Sequence, residues 1–121
     1  MGTLGERFAD AIGDRDLEAM TALFAPSVDF RGMTPGKFWE AEDPDGVLDI
    51  VLENWFEEKD EISSVQRAEA EPVLDTRHVS YRFEIVNPDG PHVAEQQAYY
   101  RVEDDRIVWM RVLCSGFRPR D

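Results

Sequence analysis

The stretch that decides how this chain folds is Arg106-Ile107-Val108-Trp109-Met110-Arg111-Val112-Leu113-Cys114, RIVWMRVLC over residues 106–114. Strict alternation puts Ile107, Trp109, Arg111 and Leu113 on one face and Val108, Met110, Val112 and Cys114 on the other. A strand apolar on nearly both faces is normally covered on both sides. In a chain of 121 residues this predicts a sheet with one face curled over helices or a pocket and its back against another subunit.

Working upstream from this strand, the same period of two predicts strands near 63–74, 77–87 and 92–103. Asn87-Pro88-Asp89-Gly90 supplies a hairpin loop, and Glu103-Asp104-Asp105 makes the turn into the last strand. Tyr81, Phe83 and Ile85 are the apolar alternates of one strand and face inward, with Arg82 and Glu84 outward. Gln96 shares an inward face with Ala98, Tyr100 and Val102.

The N-terminal half is helical. Thr3 and Glu6 fit a capping box ahead of a stripe of Leu4, Phe8, Ala11 and Ile12 that ends near Gly13. Asp14 or Asp16 caps a second helix with Leu17, Met20, Leu23 and Phe24 on its apolar face, and Pro26 terminates it. Val28 and Phe30 form a short strand that runs out at Gly32. Residues 32–46 read as a loop anchored by Phe38 and Trp39. Asp43-Pro44-Asp45-Gly46 then turns into a third helix carrying Val47, Leu48, Val51, Leu52, Trp55 and Phe56. Its polar end, Glu57 to Glu61, reads as solvated. Helices followed by four antiparallel strands predict an α+β fold, a single domain over residues 1–121.

Hydrophobic residues make up 42% and aromatics 11%, a globular composition. The net charge of −13, from 26 acidic and 13 basic residues, repels phosphate backbones and anionic membranes, so neither nucleic acid nor a membrane is an expected partner. The single cysteine, Cys114, cannot form an internal disulfide. With no signal-peptide pattern in MGTLGERF and no apolar run near the ~20 residues that span a bilayer, the expected location is cytoplasmic. The sequence has no H-E-x-x-H, C-x-x-C, P-loop or G-x-G-x-x-G pattern, and its two histidines, His78 and His92, are too few for a histidine-based metal site. Neither a metal nor a cofactor is expected. Asp43-Pro44-Asp45-Gly46 is similar to the start of a calcium loop, but Val47 stands at the next ligand position, leaving a turn.

DLEAMTALFAPSVDF (Asp16 to Phe30), AYYRVEDDRIVWMRVLC (Ala98 to Cys114) and the order of elements between them resemble the nuclear-transport-factor-2-like superfamily. Ketosteroid isomerases and SnoaL-like polyketide cyclases belong to it. The resemblance implies a cone: a curved antiparallel sheet with three N-terminal-half helices packed in its concave face. The isomerases use a tyrosine donor, an aspartate base and a protonated aspartate. Their positions fall here on Phe8, Gly32 and Ala98, or Gln97 without a gap. Phe8 donates no hydrogen bond and Gly32 accepts no proton, so that mechanism is not expected. The limonene-epoxide-hydrolase type sets an arginine between two carboxylates. Arg82 and Glu84 mimic half of this, on the opposite face of the strand.

By the same resemblance the face carrying Met110, Val112 and Cys114 lines the cone. Gln96 and Tyr100 are the polar groups that need partners there, and Trp39 and Trp55 stand near the mouth. The candidate ligand-binding set is therefore Trp39, Trp55, Gln96, Tyr100, Met110 and Cys114, suited to a small hydrophobic or aromatic molecule. The domain acts either as a binding module or as an isomerase-, cyclase- or hydrolase-type enzyme, with no catalytic residue assigned. The alternative is a non-catalytic structural or protein-interaction module with an incidental cavity. Homodimerisation is expected through the outer sheet face, with Trp109, Arg111 and Leu113.

Overall fold

A computed structural model describes residues 2–119. Thr3 caps helix α1 (Leu4–Asp14): its hydroxyl accepts from the Glu6 amide at 3.0 Å while the Glu6 carboxylate accepts from the Thr3 amide at 2.9 Å. Arg15 then adopts a left-handed conformation, φ 50°, and Asp16 caps α2 (Leu17–Leu23). This helix stops three residues before Pro26, because a proline pushes its predecessor out of the helical region. Strand β1 (Phe24–Thr34) starts at once and is longer than the sequence pattern predicts. Pro26 falls in the irregular part of its pairing, between Phe24↔Ile107 and Asp29↔Trp109, a place that tolerates a missing N–H.

The segment read as an anchored loop holds a second strand. Pro35 and Gly36 (φ 78°) turn the chain, and β2 (Lys37–Ala41) pairs back onto β1 from Thr34↔Lys37 to Phe30↔Ala41. Asp43 caps α3 (Pro44–Leu48), accepting from the Gly46 amide at 2.8 Å. The helix then widens into a π-helical segment, Asp49–Trp55. Its i→i+5 spacing sets Ile50 one turn from Trp55 and Val51 one turn from Phe56, so Ile50 joins a stripe that a 3.6 period leaves it out of. Arg15 ties off the far end, donating to the carbonyls of Leu52, Glu57 and Asp60. Asp60 departs from the expected solvated end. It is buried and accepts from the Glu57 amide at 3.1 Å and from Asn87 Nδ2 at 3.0 Å.

Strands β3 (Glu61–Glu69), β4 (Arg77–Asn87), β5 (Gly90–Glu103) and β6 (Arg106–Cys114) form the antiparallel run, and a two-residue β7 (Arg118–Pro119) pairs with β5. The strand order is β2-β1-β6-β5-β4-β3. The β1–β6 pair is parallel, so the curved, open sheet is mixed where the sequence pattern predicts antiparallel pairing. One register shift corrects the reading of RIVWMRVLC. Arg101 opposes Trp109 while Val102 opposes Ile107, leaving Val108 as the extra residue of a bulge. Ile107, expected on the outer face, is therefore fully buried, whereas Met110, Val112 and Cys114 are inside as predicted.

α1 packs on β3 and β4, α2 on β1 and β6, and α3 on β1 and β2. Phe8 sits at the centre, edge-on to Phe24 and to Tyr81, both at 6.0 Å. Each such fully buried side chain contributes about 1.5–3 kcal/mol of transfer free energy.

Candidate functional site

The concave face is largely filled. Phe8, Phe24, Phe30, Phe56, Phe83 and Met110 are all fully buried between helices and sheet. The space left open there is about 190 Å³, at the end where the β1–β2 hairpin, the π-helical segment and the end of β6 meet. Trp39, Trp55, Phe56, Cys114 and Phe117 line it, with Thr34 and Asn54 at its rim.

Each of these side chains is held by its own element. Trp55 closes the π-helical segment and lies against β1 at Gly32, where a Cβ would stand 2.5 Å from two indole carbons. Any side chain at residue 32 would collide with this ring, so the position equivalent to the isomerase base is taken by tryptophan. The Trp55 ring is tilted on Phe30 at 6.0 Å and edge-on to Trp39 at 6.4 Å. Trp39 Nε1 donates to Thr34 Oγ1 at 2.8 Å, and Lys37 Nζ sits 3.9 Å from the centre of the Trp39 ring. Trp55 Nε1 is buried and has no hydrogen-bond partner.

The C-terminal segment, whose course the sequence leaves open, folds across this opening. Ser115 exchanges hydrogen bonds with the Glu95 backbone, Gly116 turns with φ 76°, and β7 pairs with His92 and Val93. Phe117 thereby rests on Phe56, ring centres 5.7 Å apart. Cys114 ends β6 with its Sγ accepting from the Gly116 amide at 3.3 Å.

Gln96 is the cross-strand partner of Cys114, on the same inner face, and only 1% of its surface is exposed. Its Oε1 accepts from Tyr81 Oη at 2.7 Å, while its Nε2 is buried without a partner. Burial, with Cys114 nearby, holds the Tyr81 phenol well above its ordinary 10.0, so the hydroxyl stays protonated and donates. A buried donor without an acceptor costs about 1–3 kcal/mol.

Tyr100 and Met110 stand apart from the opening. The Tyr100 hydroxyl accepts from the Gly5 amide at 2.9 Å and donates to the Glu69 carboxylate at 3.0 Å, and Thr3 Oγ1 donates to the same carboxylate at 2.8 Å. Burial raises this phenol too, opposed by the bonds from Thr3 and Gly5. The group is a latch between α1, β3 and β5. Met110 pairs with Tyr100 on one side and Phe30 on the other and is core. Of the six sequence candidates, Trp39, Trp55 and Cys114 thus come together at the opening, while Gln96 stands across the strands from Cys114 and does not line it. Phe117 and the Tyr81 hydroxyl are not among the six, because a short tail after the last long strand and a cross-strand hydrogen bond carry no periodic signal.

No aspartate, glutamate, histidine, lysine or arginine lines the opening. Its chemistry is that of aromatic faces, a thiol, the Asn54 amide and the Thr34 hydroxyl. Arg82 lies on the outer face, 3.7 Å from Glu95. Among the described residues no cluster of three or more His, Cys, Asp or Glu is arranged to hold a metal ion. No helix among them is long and apolar enough to cross a membrane.

A hollow of about 300 Å³ adjoins the opening past Trp55 and Phe117, lined also by Glu57, Lys59, Asp60 and His92, and two larger ones lie on the outer sheet face. One of about 830 Å³ runs past Arg82, Glu95 and Leu113, and one of about 580 Å³ past Met33, Phe38, Tyr99 and Leu113. Phe38 is 72% and Leu113 54% exposed. Trp109 is partly covered, its ring between the guanidinium groups of Arg101 at 4.4 Å and Arg111 at 4.5 Å. Arg111 also grips Asp29 through two bonds of 3.1 and 3.2 Å, which hold that carboxyl below its ordinary 3.8.

The backbone arrangement recurs in solved structures. A proposed isomerase from Rhodopseudomonas palustris superposes with a TM-score of 0.73 at 14% identity, covering 96% of this chain and 92% of that one. A proposed isomerase from Bacillus subtilis gives 0.74 at 16% identity, over 93% and 84% of the two chains. IdmH, a proposed polyketide cyclase from Streptomyces antibioticus, gives 0.65 at 19% identity, over 92% and 88%. These likenesses establish the fold. A search of curated proteins finds no significant match. The SnoaL-like domain model matches residues 5–110, almost the whole chain, and the protein therefore belongs to the SnoaL-like family within the nuclear-transport-factor-2-like superfamily.

Proposed function

We propose that this single domain, residues 1–121, binds a small hydrophobic or aromatic molecule at the opening between Trp39, Trp55 and Cys114. One observation carries the reading: Trp55, which lines the opening, holds a buried indole N–H with no acceptor in the protein. Native interiors satisfy such groups, and a bound ligand is one way to do so. Aromatic walls with a few converging polar atoms are also how small-molecule sites are built. The isomerase and cyclase descriptions of the fold relatives support the same class of ligand and, with it, an enzyme of that general kind. The lining holds no carboxylate or imidazole to move a proton. Any catalysis therefore rests on polarisation or on the Cys114 thiol.

The protein works as a cytoplasmic homodimer, joined through the outer face at Met33, Phe38, Tyr99 and Leu113. An exposed apolar patch of this kind marks an interface. The test of the site is thermal unfolding of the purified protein against a library of aromatic and terpenoid compounds, since a ligand that binds the folded state raises the melting temperature. A hit whose effect disappears in Trp55→Phe supports the reading. A library without hits, or hits indifferent to Trp55→Phe, sinks it. The test of the dimer is light scattering, with Leu113→Asp giving monomers.

A further inference from the structure

The geometry points to Cys114 as a site of oxidation by peroxide, with Gln96 and Gly116 placed to hold the oxygen that its sulfur gains. Strand register brings the three together. Cys114 of β6 and Gln96 of β5 are direct partners on the same inner face, so their side chains start about 5 Å apart. On the other flank of Gln96, Tyr81 of β4 donates to Oε1 at 2.7 Å. The fork of a planar amide turns its NH2 away from the oxygen, and the cross-strand neighbour of Gln96 on that side is Cys114. Burial and, after it, Cys114 oppose ionisation of the Tyr81 phenol, which puts the thiol in the same buried cluster.

The unmet need is for an acceptor. Gln96 Nε2 is buried without one, and the Gly116 amide spends its N–H on the weak acceptor Cys114 Sγ at 3.3 Å. The missing acceptor has to be small, because Gln96 does not line the opening and its amide nitrogen is sealed from solvent. Cys114 does line the opening. An oxygen bonded to its sulfur satisfies both limits: it is delivered through the opening and then reaches one atom deeper than any free ligand.

The step balances with hydrogen peroxide as the co-reactant. The thiolate sulfur attacks one peroxide oxygen, an S–O bond forms and the O–O bond breaks. Hydroxide leaves and takes up the proton that the thiol gave, so the products are a sulfenic acid and water. Sulfur loses two electrons and peroxide gains them. The new oxygen has lone pairs for both N–H groups, and the bonds strengthen when it is ionised. No second thiol in the chain can condense with it, since Cys114 is the single cysteine. The opening of about 190 Å³ admits peroxide but is too small for a thiol the size of glutathione, so the sulfenic acid persists.

The test treats the intact protein with stoichiometric hydrogen peroxide and then unfolds it in dimedone, which traps sulfenic acid and ignores oxidised methionine. Mass spectrometry should place the adduct on the Cys114 peptide, and Cys114→Ser should give none. In ¹H–¹⁵N spectra of the oxidised protein the Gln96 side-chain amide and the Gly116 amide should both shift. Gln96→Met keeps the volume and removes the donor. It should shorten the life of the sulfenic acid by about tenfold, with sulfinic acid forming in its place. The oxidised protein should melt higher than the reduced one, by about 4 °C, because a buried donor has gained its acceptor; an oxygen forced into a core with no place for it lowers the melting temperature instead. Should Gln96→Met not fold, the amide shifts and the melting temperature of the unaltered protein decide the matter. Absence of a Cys114 adduct overturns the proposal. So does an adduct whose formation leaves the Gln96 amide unmoved, or whose lifetime is the same in Gln96→Met, or which lowers the melting temperature.

Discussion

Removing one oxygen atom tests how α1 is held to the sheet. In Tyr100→Phe the Gly5 amide, buried in the first turn of α1, loses its acceptor, and Glu69 loses one of its two neutral donors. Water cannot replace the hydroxyl, because Tyr100 is fully buried and Gly5 has no room even for a Cβ, which would lie 2.7 Å from the tyrosine ring. An orphaned buried N–H costs about 1–3 kcal/mol, and the relief of not burying a hydroxyl offsets part of this. The expected net loss is ~2 kcal/mol, which for a domain of this size lowers the melting temperature by roughly 8 °C. Urea unfolding at neutral pH measures it, with an unchanged denaturant slope as the sign that the native fold is retained. The double-mutant cycle with Glu69→Gln should show coupling, since the two groups touch. Tyr99→Phe, one residue away on the outer face, should stay within about 0.5 kcal/mol. Affinity for a ligand at the opening should be unaffected, because the latch is not part of its lining. If Tyr100→Phe matches the unaltered protein within 0.5 kcal/mol and the Gly5 amide resonance does not move, the latch does not exist in solution.

Gly32→Ala pushes a methyl group into the Trp55 indole. It should cost ~1–3 kcal/mol by overpacking and weaken any ligand at the opening; calorimetry showing unchanged affinity would refute the placement of Trp55. Phe117→Ala removes the ring that rests on Phe56 and should lower stability by about 1 kcal/mol while admitting larger ligands, read by the same titrations. The alkaline limit follows from Tyr81 and Tyr100, whose folded-state phenols ionise above the ordinary 10.0. Above pH 10 the unfolded chain binds fewer protons than the folded one, so this stability is fully present below pH 10 and is lost as pH rises through the folded values. Urea midpoints between pH 9 and 11.5 should fall, less steeply in Tyr81→Phe. At the acid end, Asp29 is held below 3.8 by Arg111, so its contribution is present above that value and lost as pH falls through the folded value. The Asp29 side chain is half exposed, so the effect is small and should vanish in high salt.

The fold was legible because its signals are local and periodic. The Thr3–Glu6 box, the stripe of Phe8 and Ile12, and the alternation of Tyr81, Phe83, Ile85, Gln96, Ala98 and Tyr100 each follow from the geometry of one element and the need to bury one face of it. The resemblance to a cone-forming superfamily rests on that order of elements. What stayed hidden depends on contacts far apart in sequence. The bulge at Val108 reverses Ile107 only because β6 must stay in register with β5, and β2 exists only because β1 offers it an edge. The π-helical widening is set by packing, since no residue pattern announces it. Gln96 was readable as buried and polar, but whether its amide is satisfied depends on what meets it across the strands, and there Tyr81 reaches only the oxygen. Tyr100 reads the same way in sequence, yet meets Gly5 and Glu69 and becomes a latch. Hydrophobic periodicity determines which side chains face inward. Only the three-dimensional packing decides which of those polar groups find partners and which remain unpaired.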